Sequence, residues 1–265
     1  MTELTAGPGT TALTVDQVVG RMKELGAALA PGDGVGVFNG MYLTVTELVR
    51  DRLAATWFDD PAAVAILDGV FAGRYLAAVD AVAAGSRPPA CWRPLFELRG
   101  HPGIHPLQFA LAGMNAHIEH DLPLAVVDTC RTLGREPLDI AADYRRVNGL
   151  LADVEAQVRT ALLPVPEPLD AADPLLHLCG VWSVDRAREA AWASVLALWR
   201  LRTVPLAYAA AATALDGSVG LVGRALLTPL GPRMRAGVPP VAGSGPARGA
   251  AGGQAQLECS GLPSA

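Results

Sequence analysis

The sequence predicts an all-α fold: one compact domain of several helices, with a kinked central helix and a disordered C-terminal tail. Apolar residues recur at spacings of three and four along most of the chain, and no segment keeps the strict alternation of a half-buried strand. Of the 265 residues, 51% are hydrophobic and only 18% are charged, so much of the apolar material must lie in a core. Capping residues, several of them followed by proline, precede these apolar segments and mark predicted helix starts.

The first three helices have recognisable starts. Thr14 and Gln17 fit a capping box, which opens a first helix that ends before the turn at Pro31. A second helix is expected over Asn39–Leu53, where apolar residues form a stripe. A third is expected over Asp60–Ala84, because an aspartate followed by proline is a typical helix start.

A proline-rich connector at 86–94 precedes the central helix. His105 and the proline after it open this helix, and Pro123 should kink or restart it before it ends near Leu133. A further helix is predicted over Leu138–Leu162 from its apolar spacing.

Two more helices are expected before the composition changes. Ser183 is a good cap for the first, and an alanine-rich helix follows over Ala207–Leu227. Residues 231–265 are rich in Gly, Pro, Ala and Ser, and such a segment buries too little apolar area to offset its ordering entropy. The predicted organisation is therefore a flexible N-terminus at 1–13, a helical domain at 14–230 and a disordered tail.

Composition and missing motifs narrow the function classes. The net charge of −5 gives no basic face for nucleic acid. No membrane span is expected, since the weakly polar run from Val204 to Leu230 is broken by Asp216 and several glycines. The N-terminus lacks the features of a signal peptide and the four cysteines are widely separated, so a cytoplasmic protein with reduced thiols is expected. No P-loop or dinucleotide fingerprint is present, which argues against a nucleotide cofactor.

The most informative stretch runs from His117 to Asp121, inside an otherwise apolar segment. Ionisable groups in such surroundings are costly unless they are paired or bind a metal. On a helix, a histidine and a carboxylate four residues apart can reach one point, so this pair is a candidate for binding a divalent metal, zinc or iron, or a substrate. His105 and His120 are further candidate metal ligands, and Glu47 is a candidate catalytic partner.

Simpler interpretations stay open at each of these positions. Asp121 would then only orient His117 in a buried polar pair, with His120 in solvent. Asp143 is a candidate catalytic carboxylate, yet with Arg146 it also fits an exposed helical ion pair.

Four segments together resemble an actinobacterial-rich family of unknown function, the one numbered 5995. They are 38–46, 108–122, 143–148 and 182–188, and the resemblance extends from about Val15 to Leu230. It implies a compact helical protein in which His117 and Asp121 match the central Asn-Ala-His-Ile-x-x-Asp-Leu motif. It implies no particular activity. Glu119 and His120 depart from the residues expected there, where relatives carry a polar amide and an aliphatic or basic residue.

The leading functional hypothesis is a metal-dependent enzyme, a hydrolase or a non-haem iron oxygenase, that acts on a small, partly apolar molecule. A metal-free helical protein that binds a small molecule or has a structural role is the alternative. A metal-free lyase or cyclase is a third hypothesis. The sequence leaves the substrate, the metal and the oligomeric state open.

Overall fold

The computed structural model describes residues 13–55, 57–147, 151 and 183–230, and the regular structure in these ranges is entirely helical. The all-α prediction is therefore confirmed. The α-helices are α1 (Val15–Ala28), α2 (Gly34–Ala54), α3 (Pro61–Ala83), α4 (Arg93–Leu98), α5 (Pro106–Met114), α6 (Leu122–Leu133), α7 (Val184–Leu201) and α8 (Pro205–Leu226).

Two short elements complete this part of the chain. A π-helical segment, Asn115–Asp121, joins α5 to α6, and a 3-10 turn at Pro137–Ile140 leads into a helical stretch at 141–147. The predicted N-terminal segment up to residue 12, the remainder of the helix expected to reach Leu162, and the predicted tail from 231 lie outside the described residues.

Several predicted helix starts are confirmed by their capping bonds. Thr14 and Gln17 form the reciprocal capping box of α1. The Asp60 carboxylate accepts from the backbone N–H of Ala63 at the start of α3, and the Ser183 hydroxyl caps α7. Local side-chain chemistry therefore determines where these helices begin.

The predicted start of α2 at Asn39 was wrong, because the helix begins five residues earlier at Gly34. The glycines at 34 and 36 look like helix breakers in the sequence. The Asp33 carboxylate, however, accepts from the backbone N–H groups of Val35 and Gly36, and a capped first turn tolerates glycine. The connector prediction also missed α4, a short helix that has proline in its first turn, where no N–H is needed.

The helix formed by α5, the π-helical segment and α6 runs through the centre of the domain. Helix α2 packs on α5, α3 packs on α6, and both α7 and α8 contact the π-helical segment. Every residue from Leu107 to Ile118 is buried. The motif singled out in the sequence therefore lies in the middle of the core.

Pro123 explains why the central helix leaves α geometry. In an α-helix its ring would clash with the carbonyl of Glu119, four residues back, and that carbonyl would lose its donor. The wider π turn relieves this clash, and the N–H of Leu122 donates to the carbonyl of His117, five residues back. The expected irregularity at Pro123 is present, and it changes the angles between the motif side chains from those of an α-helix.

Two helices, α3 and α8, are long and apolar enough to cross a membrane by length and composition alone. The most apolar 18-residue window of α3 is 44% buried inside the protein, and the corresponding window of α8 is 17% buried. Core helices pass the same test, so this is weak evidence for a membrane span.

Candidate functional site: a buried histidine facing an apolar cavity

The carboxylate of Asp121 is the centre of a buried hydrogen-bond network. Its Oδ2 atom lies 3.1 Å from Nδ1 of His117 and accepts from the indole N–H of Trp92 at 3.0 Å. Its Oδ1 atom lies 2.8 Å from Nδ1 of His120. Burial opposes ionisation of this carboxyl, yet the hydrogen bonds from His117 and His120 hold its pKa below the ordinary value. Asp121 is therefore a carboxylate that only accepts, and both imidazoles must donate through Nδ1.

His117 is consequently fixed in one tautomer. Burial lowers its pKa below the ordinary value, although Asp121 partly offsets this effect, so the imidazole is neutral at pH 7. With its proton on Nδ1, the ring carries a lone pair on Nε2. That nitrogen is buried and makes no hydrogen bond within the described part of the chain. Asp121 thus presents His117 as an oriented base.

Aromatic rings enclose the imidazole of His117. The ring of Phe71 stacks on it with centroids 3.6 Å apart and planes 7° from parallel, and the ring of Tyr42 meets it edge-on at 4.4 Å. Phe38 approaches at 5.9 Å, and it fits there because Gly113 has no side chain: a Cβ at that position would lie 2.3 Å from the phenyl ring. This packing leaves His117 little rotational freedom.

An apolar cavity of about 120 Å³ opens beside His117, bounded by residues of α2, α3, α5 and α7 and of the helical stretch after the 3-10 turn. Its size is similar to that of an apolar cavity of about 150 Å³ that binds benzene. Few polar side chains line it, and they are His117, Tyr42, Asp68, Asp143 and Arg188. An apolar pocket with a few convergent polar groups is the usual form of a small-molecule site.

Asp68 is a functional candidate that the sequence analysis missed. Its Oδ2 atom is buried and has no hydrogen-bond partner among the described residues, and burial raises its pKa to about 7. Tyr42 is close enough for the charge of Asp68 to matter: burial, and after it this charge, raises the pKa of the phenol. The sequence did contain a sign of its importance, because Asp68 is the single ionisable residue in the otherwise apolar first thirteen positions of α3.

A family model described as a family of unknown function, DUF5995, matches residues 15–229. The chain belongs to this family. No curated protein and no solved structure matched the chain. The resemblance identified from the four sequence segments is thus confirmed. Membership of DUF5995 assigns no reaction.

In this DUF5995 protein three of the other predicted site residues lie in three separate places. Asp143 borders the cavity, but its two oxygens accept from the backbone N–H groups of Asp59 and Asp60 and it pairs with Arg146, so it also anchors the start of α3. His105 caps α5 through its Nδ1 atom. Glu47 pairs with Lys23 at 2.8 Å on a partly exposed face of α2.

His120 is buried, whereas the simpler interpretation had placed it in solvent. It lies on the other side of the Asp121 carboxylate from His117 and approaches Asp216 and Cys91. These three residues are the group of possible metal ligands found in the described ranges. His117 and Asp121 are not members of that group, so the structure brings His120 to a different set of partners from those the sequence suggested.

Proposed function

We propose that this protein is an enzyme that moves a proton on a small, largely apolar carbonyl compound, with His117 as the general base. The observation that carries this proposal is the Nε2 atom of His117, which is buried and without a partner among the described residues, beside the cavity. Leaving a buried polar atom unpaired costs on the order of 1–3 kcal/mol, and a ligand that uses the lone pair would account for that cost.

Two further groups support transfer of a proton rather than simple binding. Asp68, with its pKa raised to about 7, is partly protonated at neutral pH and can donate a hydrogen bond. Tyr42 keeps its phenolic proton because its pKa is raised. A base and neutral acids in one apolar pocket is the arrangement that enzymes use to stabilise a developing oxyanion.

The chemistry follows from these roles. Nε2 of His117 takes a proton from the carbon next to the carbonyl, and the electron pair of that C–H bond moves to the carbonyl oxygen. Tyr42 and Asp68 donate hydrogen bonds to this oxygen, which then has enolate character. Return of the proton from His117 to a carbon of the enolate completes the exchange or isomerisation, and no other reactant is consumed.

Acetophenone and its hydrocarbon analogue α-methylstyrene provide a direct test of this function. Nuclear magnetic resonance titration of the full-length protein should show saturable binding of both, with tighter binding of the ketone. In D₂O the protein should also exchange the methyl protons of acetophenone faster than buffer does. His117→Gln should abolish the exchange, while Glu47→Gln, a change on the partly exposed face of α2, should leave it intact.

Equal affinity for the ketone and the hydrocarbon, or exchange that survives in His117→Gln, would contradict the proposed roles. Saturable binding without any exchange would instead favour the metal-free binding protein, in which the polar groups only orient a ligand. The titration and the exchange measurement together thus separate catalysis from binding.

A metal-dependent hydrolase or oxygenase acting on a small apolar molecule is the second candidate function. The observation that favours it is the group formed by Cys91, His120 and Asp216, which is joined to His117 through Asp121. A divalent ion there would supply Lewis-acid or oxygen-activating chemistry. Dependence of any turnover on metal content would distinguish this candidate from proton transfer by His117 alone.

A further inference from the structure

Three side chains from separate parts of the chain meet beyond the second oxygen of Asp121. Cys91 precedes α4, His120 belongs to the π-helical segment and Asp216 lies in α8. One sulfur, one imidazole nitrogen and one carboxylate oxygen of these residues lie within 4.8 Å of one another. Cys91 and His120 are buried, and Asp216 is partly exposed.

The orientation of His120 points to a cation in this space. Its Nδ1 atom donates to Asp121 at 2.8 Å, so in the neutral ring Nε2 carries a lone pair. Nε2 lies 3.8 Å from Oδ1 of Asp216, which is beyond hydrogen-bonding distance. A positive ion between these two atoms would bind the lone pair of Nε2 and offset the negative charge of the carboxylate.

The carboxylate of Asp216 is held in place by the backbone. Its oxygens accept from the N–H groups of Ala90 and Cys91, each at 2.9 Å. Helix α8 comes this close because residue 220 is glycine: a Cβ there would lie 2.6 Å from the carbonyl oxygen of Ala90. The loop that carries the thiol and the helix that carries the carboxylate are therefore packed together before any ion binds.

We propose that Cys91, His120 and Asp216 bind a zinc ion, with Asp121 as the carboxylate that orients the histidine ligand. Thiolate, imidazole and carboxylate are the ligand types that Zn²⁺ accepts. A tetrahedral site needs nitrogen and oxygen ligands about 3.4 Å apart, so His120 and Asp216 would close by roughly half an ångström. On binding, the thiol of Cys91 loses its proton to solvent and becomes the sulfur ligand, and water takes the fourth position.

A carboxylate that receives the second N–H of a zinc-bound histidine is a common outer partner of such sites. Here the same carboxylate also orients His117, so the ion would secure Asp121 from the side opposite the cavity. The site does not depend on the proposed proton transfer, because none of its three ligands lines the cavity.

Metal titration of the untagged, full-length protein after metal removal tests this proposal. We expect one equivalent of Zn²⁺ to bind and to raise the melting temperature. Co²⁺ should bind at the same site and give the near-ultraviolet charge-transfer absorption of a thiolate ligand. Cys91→Ser should abolish this band, and Asp216→Asn should weaken zinc binding at least tenfold.

Cys130→Ser is the matched control, since Cys130 is also a buried free cysteine but lies in α6, outside the group. It should keep the cobalt band and the zinc affinity, as should His117→Gln. Failure of the wild-type protein to bind one equivalent of either ion would overturn the proposal, and so would a cobalt spectrum without thiolate absorption or a band that survives Cys91→Ser. The wild-type spectrum decides the question even if a variant does not fold, and acetophenone binding by the zinc-free protein reports separately on the cavity.

Discussion

The phenyl ring of Phe71 lies flat on the imidazole of His117, with centroids 3.6 Å apart and planes within 7° of parallel. This contact keeps water from one face of the base. Because burial is the main reason that the pKa of His117 is lowered, Phe71 should be part of that cause.

Replacement of Phe71 by alanine should therefore raise the pKa of His117 towards its ordinary value, since water would reach the ring and stabilise its charged form. Titration of the imidazole signals by nuclear magnetic resonance measures this change. Phe109→Ala is the control, because Phe109 is a buried phenylalanine of α5 that packs against Gly34. An unchanged His117 pKa in Phe71→Ala would show that this contact does not set the protonation state.

Removal of the Asp121 carboxylate should destabilise the protein severely. Asp121→Ala leaves two buried imidazoles and the indole N–H of Trp92 without their acceptor, and breaking a buried pair in this way costs about 3–5 kcal/mol. Urea denaturation measures the loss. Asp128→Ala, which removes the partly exposed ion pair between Asp128 of α6 and Arg74 of α3, should cost less than about 1 kcal/mol. Similar losses in the two variants would contradict a special role for Asp121.

Asp68 should make the stability depend on pH. Its pKa is raised to about 7 in the folded protein, so between about pH 4 and pH 7 the unfolded chain releases this proton first, and stability falls as the pH rises. The wild type should lose on the order of 1–3 kcal/mol relative to Asp68→Asn across this window, a range reduced because the side chain is only half-buried.

Unfolding free energies of both proteins at a series of pH values test this prediction. The difference between the two curves is the quantity to follow, because the lowered pKa of His117 acts in the opposite direction and reduces stability as the pH falls below about 6.5. Asp51→Asn, a change at an exposed site of α2, should reproduce the wild-type curve. Parallel curves for wild type and Asp68→Asn would show that Asp68 is not held neutral.

Gly113 should not tolerate a side chain. In Gly113→Ala the new methyl group would overlap the ring of Phe38, and overpacking of this kind costs about 1–3 kcal/mol. Gly40→Ala is the control, because nothing lies within 4 Å of a Cβ at that exposed helical position, and it should stabilise α2 by up to about 1 kcal/mol. Thermal melts that ranked these two variants in the reverse order would show that the core around His117 is loosely packed.

Much of the fold could be predicted from local signals in the sequence. The caps at Thr14, Asp60 and Ser183 act within one helical turn, so their outcome is visible without knowledge of the tertiary structure. The start of α2 was missed because the effect of one good cap at Asp33 outweighed two glycines.

The site was harder to predict. The importance of His117 and Asp121 followed from ionisable residues in apolar surroundings, but their geometry depended on a π-helical turn that Pro123 imposes. Asp68 and Asp216 reach the centre from helices distant in sequence, and only packing brings them there. For the same reason, the sequence grouped His120 with His117, although the structure turns it towards Cys91.

The proposed chemistry requires His117 to be a neutral imidazole with its proton on Nδ1. Its Nε2 atom, beside the cavity, must then be unprotonated and available to a ligand. Long-range ¹H–¹⁵N correlation spectra of the imidazole at pH 7 measure this directly, with His117→Gln used to assign the signals. We predict a protonated Nδ1 and an unprotonated Nε2 whose signal shifts when acetophenone binds. A proton on Nε2, an imidazolium at pH 7, or an Nε2 signal that does not respond to bound ketone would contradict it.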